Sequence, residues 1–329
     1  MFSKIFVEKQ VQNQEYVQHI LNRLKIEPIL IDDYASIWGK VKKPYLHKRT
    51  NLNLFLAKKK GDLIKETPPA YGFDHHPHYY FIHSYNCIYE CSYCYLQGYF
   101  HTPDIVLFTN HDEIIEQMQK VANHQEKIWF HAGEFSDSLA LNSISNEWPY
   151  YWSFFKDNPN AFLELRTKSS NIKEILKLEP LPNTIISFSI SPQKVAKDYD
   201  LRCPNTSIRL KAIEKLVKAG FKIGVHLDPI IYDESLKKQY RDLIEELFTI
   251  LPDEQLEYMS LGVVRFTKDV YYSVQKNYPE SKAHAQEFIK SFDGKIRYSR
   301  PMRNWILNIV KDLAAKVYSK DKIYLCMED

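Results

Sequence analysis

Short apolar runs and amphipathic stretches alternate through most of this chain, and that alternation leaves few folds open. The runs are Ile128-Trp-Phe-His131, Ala161 to Arg166, Thr184 to Ile190, Lys222 to Leu227 and Met259 to Phe266. Their length and content of β-branched and aromatic residues predict strands. Helical periodicity is read near 148–157, 171–177, 205–219 and 235–249. Over 205–219, Ile208, Ala212, Ile213, Leu216 and Val217 share one face, and Gly220 supplies the C-cap. Tyr79 to Ser84 reads as a further strand ahead of these, giving repeated βα units. Strands joined through helices run parallel and are covered on the outside by those helices. Reactive groups in such architectures sit at the C-terminal ends of the strands.

The first strand leads directly into Cys87-Ile-Tyr-Glu-Cys91-Ser-Tyr-Cys94-Tyr95, which holds three of the five cysteines. Thiolates suit iron–sulfur clusters, zinc or Cu(I). A closed zinc site wants a fourth ligand, and no second CxxC pair is present. A [4Fe–4S] cube held by three cysteines keeps one iron open to a small molecule. Zinc ligation and unliganded thiols are the competing readings of the same spacing.

With 329 residues the chain has room for one large domain or two modest ones. No run of 18 apolar residues is present, so no membrane span is expected, and no signal segment is read at the start. Clustered, odd-numbered cysteines argue against a disulfide scaffold and for a reducing, cytoplasmic setting. The net charge of +3 does not by itself predict nucleic-acid binding. Two local features can: the run Lys40 to Arg49 with Lys58 to Lys60, and Lys295 to Trp305. In the second, Arg297, Tyr298, Arg300 and Arg303 are candidates to grip phosphates and stack bases. Solvated surface is the rival reading of both. Pro301 predicts that a helix begins at about this point. Gln10 to Leu24 reads as an amphipathic helix, and Asn110 as the cap of another. Residues 1–75 are expected to be a mainly helical region, 76–270 the βα region, and 271–329 an extension that meets substrate.

The CxxxCxxC spacing with Tyr93 before the last cysteine resembles the signature of the radical SAM superfamily. Cys91-Ser-Tyr-Cys-Tyr-Leu-Gln97, Arg166-Thr-Lys168, Ser187 to Ile190, Gly224 to Ile231 and Arg265 to Lys268 more narrowly resemble spore photoproduct lyases. The resemblance implies an α/β fold, a partial (β/α)6 TIM barrel. It implies a [4Fe–4S] cluster on Cys87, Cys91 and Cys94. It also implies S-adenosylmethionine chelated at the open iron, cleaved to a 5′-deoxyadenosyl radical by an electron from a flavodoxin- or ferredoxin-type donor. Ser136, Lys168 and Ser189 match cofactor-contacting positions, and Asp228 stands where the lyases carry a small residue beside the cofactor. The family's C-terminal region supplies a β-hairpin near its DNA substrate.

One position departs from that pattern. Where the lyases carry a cysteine that returns a hydrogen atom to the product, this chain has Glu134. Gly133-Glu134 instead resembles the Gly-Glu motif that binds the cofactor's amino group, as a charge-assisted hydrogen bond would. Candidate hydrogen donors are then Tyr95, Cys203 and Cys326, the last expected to be an ordinary thiol near a chain end. The leading expectation is radical chemistry on a DNA or RNA substrate. The alternatives are radical chemistry on a peptide or metabolite, and a non-enzymatic metal-containing nucleic-acid-binding protein.

Overall fold

The structure, a computed structural model, describes residues 2–49, 51–68, 74–282 and 286–328. The turn-rich segment expected over Pro68–Pro77 falls partly outside them, at 69–73. In chain order the first elements are β1 (Phe2–Glu8), α1 (Glu15–Leu24), β2 (Pro28–Ile31), β3 (Leu52–Ala57), β4 (Ile64–Glu66) and β5 (His78–Phe81). Next come β6 (Ser84–Tyr85), β7 (Glu90–Cys91), α2 (Leu96–Tyr99), β8 (Ile105–Phe108), α3 (His111–Ala122) and β9 (Ile128–His131). They are followed by α4 (Asn142–Ser145), α5 (Trp148–Asp157), β10 (Ala161–Thr167), β11 (Thr184–Ser189), α6 (Gln193–Tyr199), β12 (Asp200–Leu201) and α7 (Thr206–Lys218). The chain then forms β13 (Lys222–Ile230), α8 (Leu236–Ile250), β14 (Leu256–Val263), β15 (Arg265–Phe266) and α9 (Lys268–Asn277). It ends with β16 (Ile289–Lys290), β17 (Ile296–Arg297), α10 (Arg300–Ala314) and β18 (Ile323–Leu325).

The six expected strands lie side by side in one sheet, ordered β18-β14-β13-β11-β10-β9-β5-β4. Every pairing in it is parallel except that of β4 with β5. Period-2 alternation divides each strand. Phe130, Leu163, Leu165, Ile186, Phe188, Val225, Met259 and Leu261 face the helices and belong to the main core. The opposite face is the concave interior of a partial barrel, floored by Trp129, Phe162, Ile185, Tyr258 and Tyr324. Two strands were not foreseen: antiparallel β4 at one edge and β18 at the other.

The N-terminal region is a correction. It is not mainly helical: α1 is its one α-helix among the described residues, and β1, β2 and β3 join β8 and β6 in a five-stranded sheet. Ile5, Val7, Leu54, Leu56, Ile105 and Leu107 of this sheet bury against Val17 and Ile20 of α1. That burial outweighs the polar residues interrupting the pattern of β1. The expected boundaries at 75 and 270 also fail, because β4 and β18 belong to the barrel sheet while β6 and β8 belong to the N-terminal one. The helix expected at 171–177 is a single 3-10 turn, Ile175–Lys177, since Ser169 Oγ accepts from the Asn171 amide at 3.0 Å and holds the chain in a turn. Helix α10 begins at Arg300 with Pro301 in its first turn, as expected. Asn110 caps α3 by position, but its side chain is turned to the Lys59 backbone. Among the described residues no helix is long and apolar enough to cross a membrane.

Candidate active site

The cysteine loop is fixed between the N-terminal sheet and the β7–β12 ribbon. Tyr85 pairs with Val106 of the N-terminal sheet. Asn86 then takes a left-handed φ of 66°, which asparagine tolerates better than most residues. Its amide nitrogen donates to the carbonyls of Thr102 and Asp104 at 2.8 and 2.9 Å. Beyond Cys87, Cys91 pairs with Asp200 across the β7–β12 ribbon. The Cys94 amide donates to the Cys91 carbonyl at 3.0 Å, closing the turn that carries the third thiol.

Three thiols in one loop, if ionised, need compensating positive charge, and buried Lys48 and half-buried Lys168 lie beside them. Lys48, 2% exposed, donates to the Tyr89 carbonyl at 2.6 Å and lies over the Tyr45 ring. Lys168 lies 3.7 Å from Asp200 and 5.5 Å from the centre of the Tyr93 ring. Its ammonium has no hydrogen-bond acceptor among the described residues. Burial disfavours the Lys168 charge, but Asp200 and Cys91 hold its pKa above the usual value. Burial raises Cys94 to about 11, against the pull of Lys48 and Lys168. Among the described residues no three histidine, cysteine or carboxylate groups are already gathered as metal ligands, and it is by charge that three thiols beside two ammonium groups suit an anionic thiolate-ligated cluster.

Asp200 organises this side of the site. Arg209, fully buried, donates to it at 2.8 Å, and the Tyr93 hydroxyl donates to its other oxygen. Burial opposes its ionisation, yet Lys168 and Arg209 keep its pKa below the ordinary carboxylate value. Cys203 lies here as well, with its sulfur 3.6 Å from that of Cys91.

The barrel interior above its aromatic floor is a layer of charge centred on Glu164. Tyr258 donates to this carboxylate at 2.5 Å, Ser187 at 2.7 Å and His226 at 2.9 Å. Arg166 donates twice, at 3.1 and 3.2 Å, and His131 Nδ1 faces the second oxygen. His131 meets His78 at 2.8 Å, and His78 meets Asp74 at 3.1 Å. Burial opposes charging Glu164, but Arg166 and His131 hold it ionised, well below the usual range. Burial lowers His78 and His226 to about 4, so both are neutral near pH 7. Sequence reasoning missed Glu164. Its one signal was an acidic residue inside an apolar strand.

One pleat higher lie the mouth residues. Gly133 is where β9 ends and lets Arg166 cross closely, since a Cβ there would sit 2.6 Å from the Arg166 Cβ. Glu134 lies near the Tyr95 and Tyr80 hydroxyls, and burial raises its pKa in spite of Arg166. Ser136 stands beside Asp137, which accepts from the Lys168 amide at 2.7 Å and from Thr167 at 2.6 Å. Ser189 is buried, and its carbonyl accepts from Arg209 at 3.0 Å. Asp228 is gripped by Arg265 at 3.0 and 3.3 Å, a pairing that requires Gly262, where a Cβ would meet Asp228 at 2.7 Å. Cys326 follows β18, with its sulfur 3.7 Å from Arg265. The thiol expected near a chain end thus lies beside the Arg265–Asp228 pair. β18 carries Cys326 to the mouth.

The arginine cluster is corrected too. Arg297, Tyr298 and Arg303 are 4%, 0% and 3% exposed. Arg303 and Arg297 hold Glu328 at 2.8 and 3.6 Å, and Tyr298 accepts from the Tyr232 amide. Spent on internal ion pairs, they offer no surface to a nucleic acid, and only Arg300 of the four is exposed. In the N-terminal basic run, Lys43 pairs with Asp104, Lys58 with Glu113 and Lys60 with Asp33. The exposed features near the mouth are Tyr95, Tyr99 and a hairpin formed by β16 and β17. That hairpin pairs with β15, just beyond the C-terminal end of β14. At its tip Phe292 is 90% exposed.

A sequence profile of spore photoproduct lyases matches residues 73–305. The chain belongs to the spore photoproduct lyase family. It is 28% identical over 206 residues to the spore photoproduct lyase of Bacillus subtilis (strain 168), covering 61% of this chain and 60% of that protein. Against the Clostridium acetobutylicum enzyme it is 24% identical over 218 residues, 65% of each chain. These matches thus span less than two thirds of the curated relatives' length. A solved structure of a spore photoproduct lyase variant with bound AdoMet and dinucleoside spore photoproduct superposes with a TM-score of 0.83 at 19% identity, covering 100% of this chain and 99% of that one. Another, complexed with dinucleoside spore photoproduct alone, gives 0.84 at 19% identity over 99% and 98% of the two chains. They establish the radical SAM partial-barrel fold.

Proposed function

We propose that this chain is a radical SAM enzyme that cleaves a thymine-dimer lesion of the spore-photoproduct type in DNA. The observation that carries the reading is the loop of three thiols beside buried Lys48 and half-buried Lys168 at the C-terminal ends of the parallel strands. Cys87, Cys91 and Cys94 would hold a [4Fe–4S] cluster. When bound, cluster and S-adenosylmethionine together supply a carbon-centred radical, fed by a ferredoxin- or flavodoxin-class reductant. Glu134 is the acceptor for the cofactor's ammonium group, whose charge favours an ionised carboxylate that burial otherwise resists. On this reading Lys168, Ser136, Ser189 and Asp228 would contact the cofactor. The Glu164 layer beneath closes the floor and fixes Arg166 and the histidines, so that the reacting groups meet preorganised dipoles in place of water.

The substrate class is favoured by family membership and by the aromatics that rim the mouth. Phe292 at the hairpin tip has the exposure of a wedge between bases, and Tyr95 and Tyr99 offer stacking faces. Phosphate contact would come from Arg300, Lys290 and Lys295 rather than from the buried arginines.

Anaerobic reconstitution followed by reduction with S-adenosylmethionine tests the chemistry. The expected result is the iron content of one [4Fe–4S] cluster and release of 5′-deoxyadenosine. Zinc in its place, or no 5′-deoxyadenosine, would end the radical reading. Incubation with dinucleoside spore photoproduct then tests the substrate: two thymidines restored in one dinucleotide support it, and an untouched lesion alongside continued 5′-deoxyadenosine release refutes it.

A further inference from the structure

We propose that Cys326 is the hydrogen-atom donor that closes the product radical at this site. The inference rests on the radical reading above. It starts from the register of β18. Ser260 pairs with Tyr324 and Leu261 with Leu325, and the Cys326 amide continues the ladder by donating to the Leu261 carbonyl at 2.8 Å. Residues two apart on a strand share a face. Tyr324 packs inward on Tyr258, with ring centres 5.9 Å apart. Cys326 therefore also points inward, one pleat nearer the mouth, in the layer of Arg166 and Asp228.

The thiol is held there from several sides. Arg265 Nη2 lies 3.7 Å from its sulfur, 3.4 Å from that of Met327 and 3.0 Å from Asp228. Two residues on, Glu328 is clamped by Arg303 at 2.8 Å. The segment carrying the thiol is thus anchored on both sides of Cys326. A guanidinium only donates hydrogen bonds, so Arg265 engages the sulfur as acceptor and does not occupy the S–H. Burial and the nearby Asp228 favour the protonated thiol, against the influence of Arg265. The group therefore remains an S–H at neutral pH.

No other described side chain suits the task as well. Cys87, Cys91 and Cys94 are committed to the cluster loop. Cys203 faces Cys91 at 3.6 Å on the β7–β12 side. Tyr95 and Tyr80 lie near the Glu134 carboxyl, and a tyrosine O–H is a poorer atom donor than a thiol. In the proposed step the Cys326 S–H bond breaks homolytically as a C–H bond forms on the product radical. No charge moves, and a thiyl radical remains on Cys326. One electron from the ferredoxin- or flavodoxin-class reductant and one proton from solvent restore the thiol.

The test uses the cluster-loaded full chain with S-adenosylmethionine and dinucleoside spore photoproduct in D2O. The parent should place one solvent deuterium in the repaired dinucleotide. Cys326→Ser keeps size and polarity but offers only a strong O–H bond. It should release 5′-deoxyadenosine at a rate within about twofold of the parent, while repaired product falls by roughly tenfold or more. A second measurement does not depend on turnover: N-ethylmaleimide should alkylate Cys326, located by peptide mass, and S-adenosylmethionine with the dinucleotide should slow that reaction. Undiminished, deuterated product from Cys326→Ser overturns the proposal and leaves the radical reading standing. Alkylation unaffected by the ligands also overturns it. A parent chain that releases no 5′-deoxyadenosine, or repairs no lesion, defeats the functional reading and this inference with it.

Discussion

The two large sheets are built alike on one face and oppositely on the other. Both are mainly parallel, and both bury aliphatic side chains against helices. The N-terminal sheet also hides an apolar second face, with Phe55, Ala57, Val106 and Phe108 packed beneath Tyr80 and Phe135. The barrel sheet turns Glu164, Arg166, His131, His226 and Asp228 into its interior. Buried charge contributes little net stability, whereas breaking a paired set is costly. A sheet that retains such a set does so for what the set positions. The apolar sheet is scaffold, and the charged one is the working surface.

Glu164→Ala should break this contrast most severely. It strands Arg166 without its counter-charge and takes the Glu164 oxygens away from His131 and His226, for a loss of about 3–5 kcal/mol in a urea titration. Release of 5′-deoxyadenosine should fall with it. Leu54→Ala in the N-terminal sheet should cost about 3 kcal/mol through the cavity it leaves, yet the folded protein should load the same iron. If it loses iron in proportion to stability, the division into scaffold and working surface is wrong.

Acid should act through buried histidines, His78 and His226 in the barrel and His111 beside Tyr16 of α1, which burial also lowers to about 4. His78 and His226 have folded pKa values of about 4, below the unfolded value, so the unfolded chain binds more protons between the two. Their contribution is complete above about pH 6.5 and is lost as pH falls towards 4, at about 2 kcal/mol for each histidine between pH 7 and 5. Urea midpoints at the two pH values check this, and Leu54→Ala should show the parent's pH slope. Asp200→Asn removes the charge that Arg209 and Lys168 share and should cost about 2 kcal/mol, with faster loss of iron on exposure to a chelator. The smallest effect on stability belongs to Phe292→Ala, within about 0.5 kcal/mol, since the ring touches mostly solvent. Its effect should show as weaker binding to lesion-bearing DNA.

The barrel was legible because its strands are apolar runs separated by periodic helices. β18 was not, since three residues, Ile323 to Leu325, with no helix after them carry no pattern of their own. That omission is why Cys326 looked like a stray thiol. The N-terminal strands were obscured by buried polar residues such as Glu8, which accepts from the Tyr34 and Lys58 amides at 2.8 and 3.1 Å. The cysteine loop was readable from spacing alone. Glu164 was not, because its partners at 131, 187, 226 and 258 come from four other strands and only folding gathers them. The arginines of 297–303 misled for a related reason: composition reports charge, while Glu328 decides whether that charge faces outward.

The splice at β6 has a consequence for how the protein breathes. The segment between β5 and β7 is threaded from the barrel sheet, through Ser84 and Tyr85 on the N-terminal sheet, to the ribbon at Cys91. The Ser84 and Tyr85 pairing opens only if β6 leaves β8 in the N-terminal sheet, so the amides of that pairing should exchange slowly. The hairpin tip at 291–294, by contrast, should exchange through local opening. The strand that leads into the thiol loop would then open later than the hairpin tip at the barrel rim.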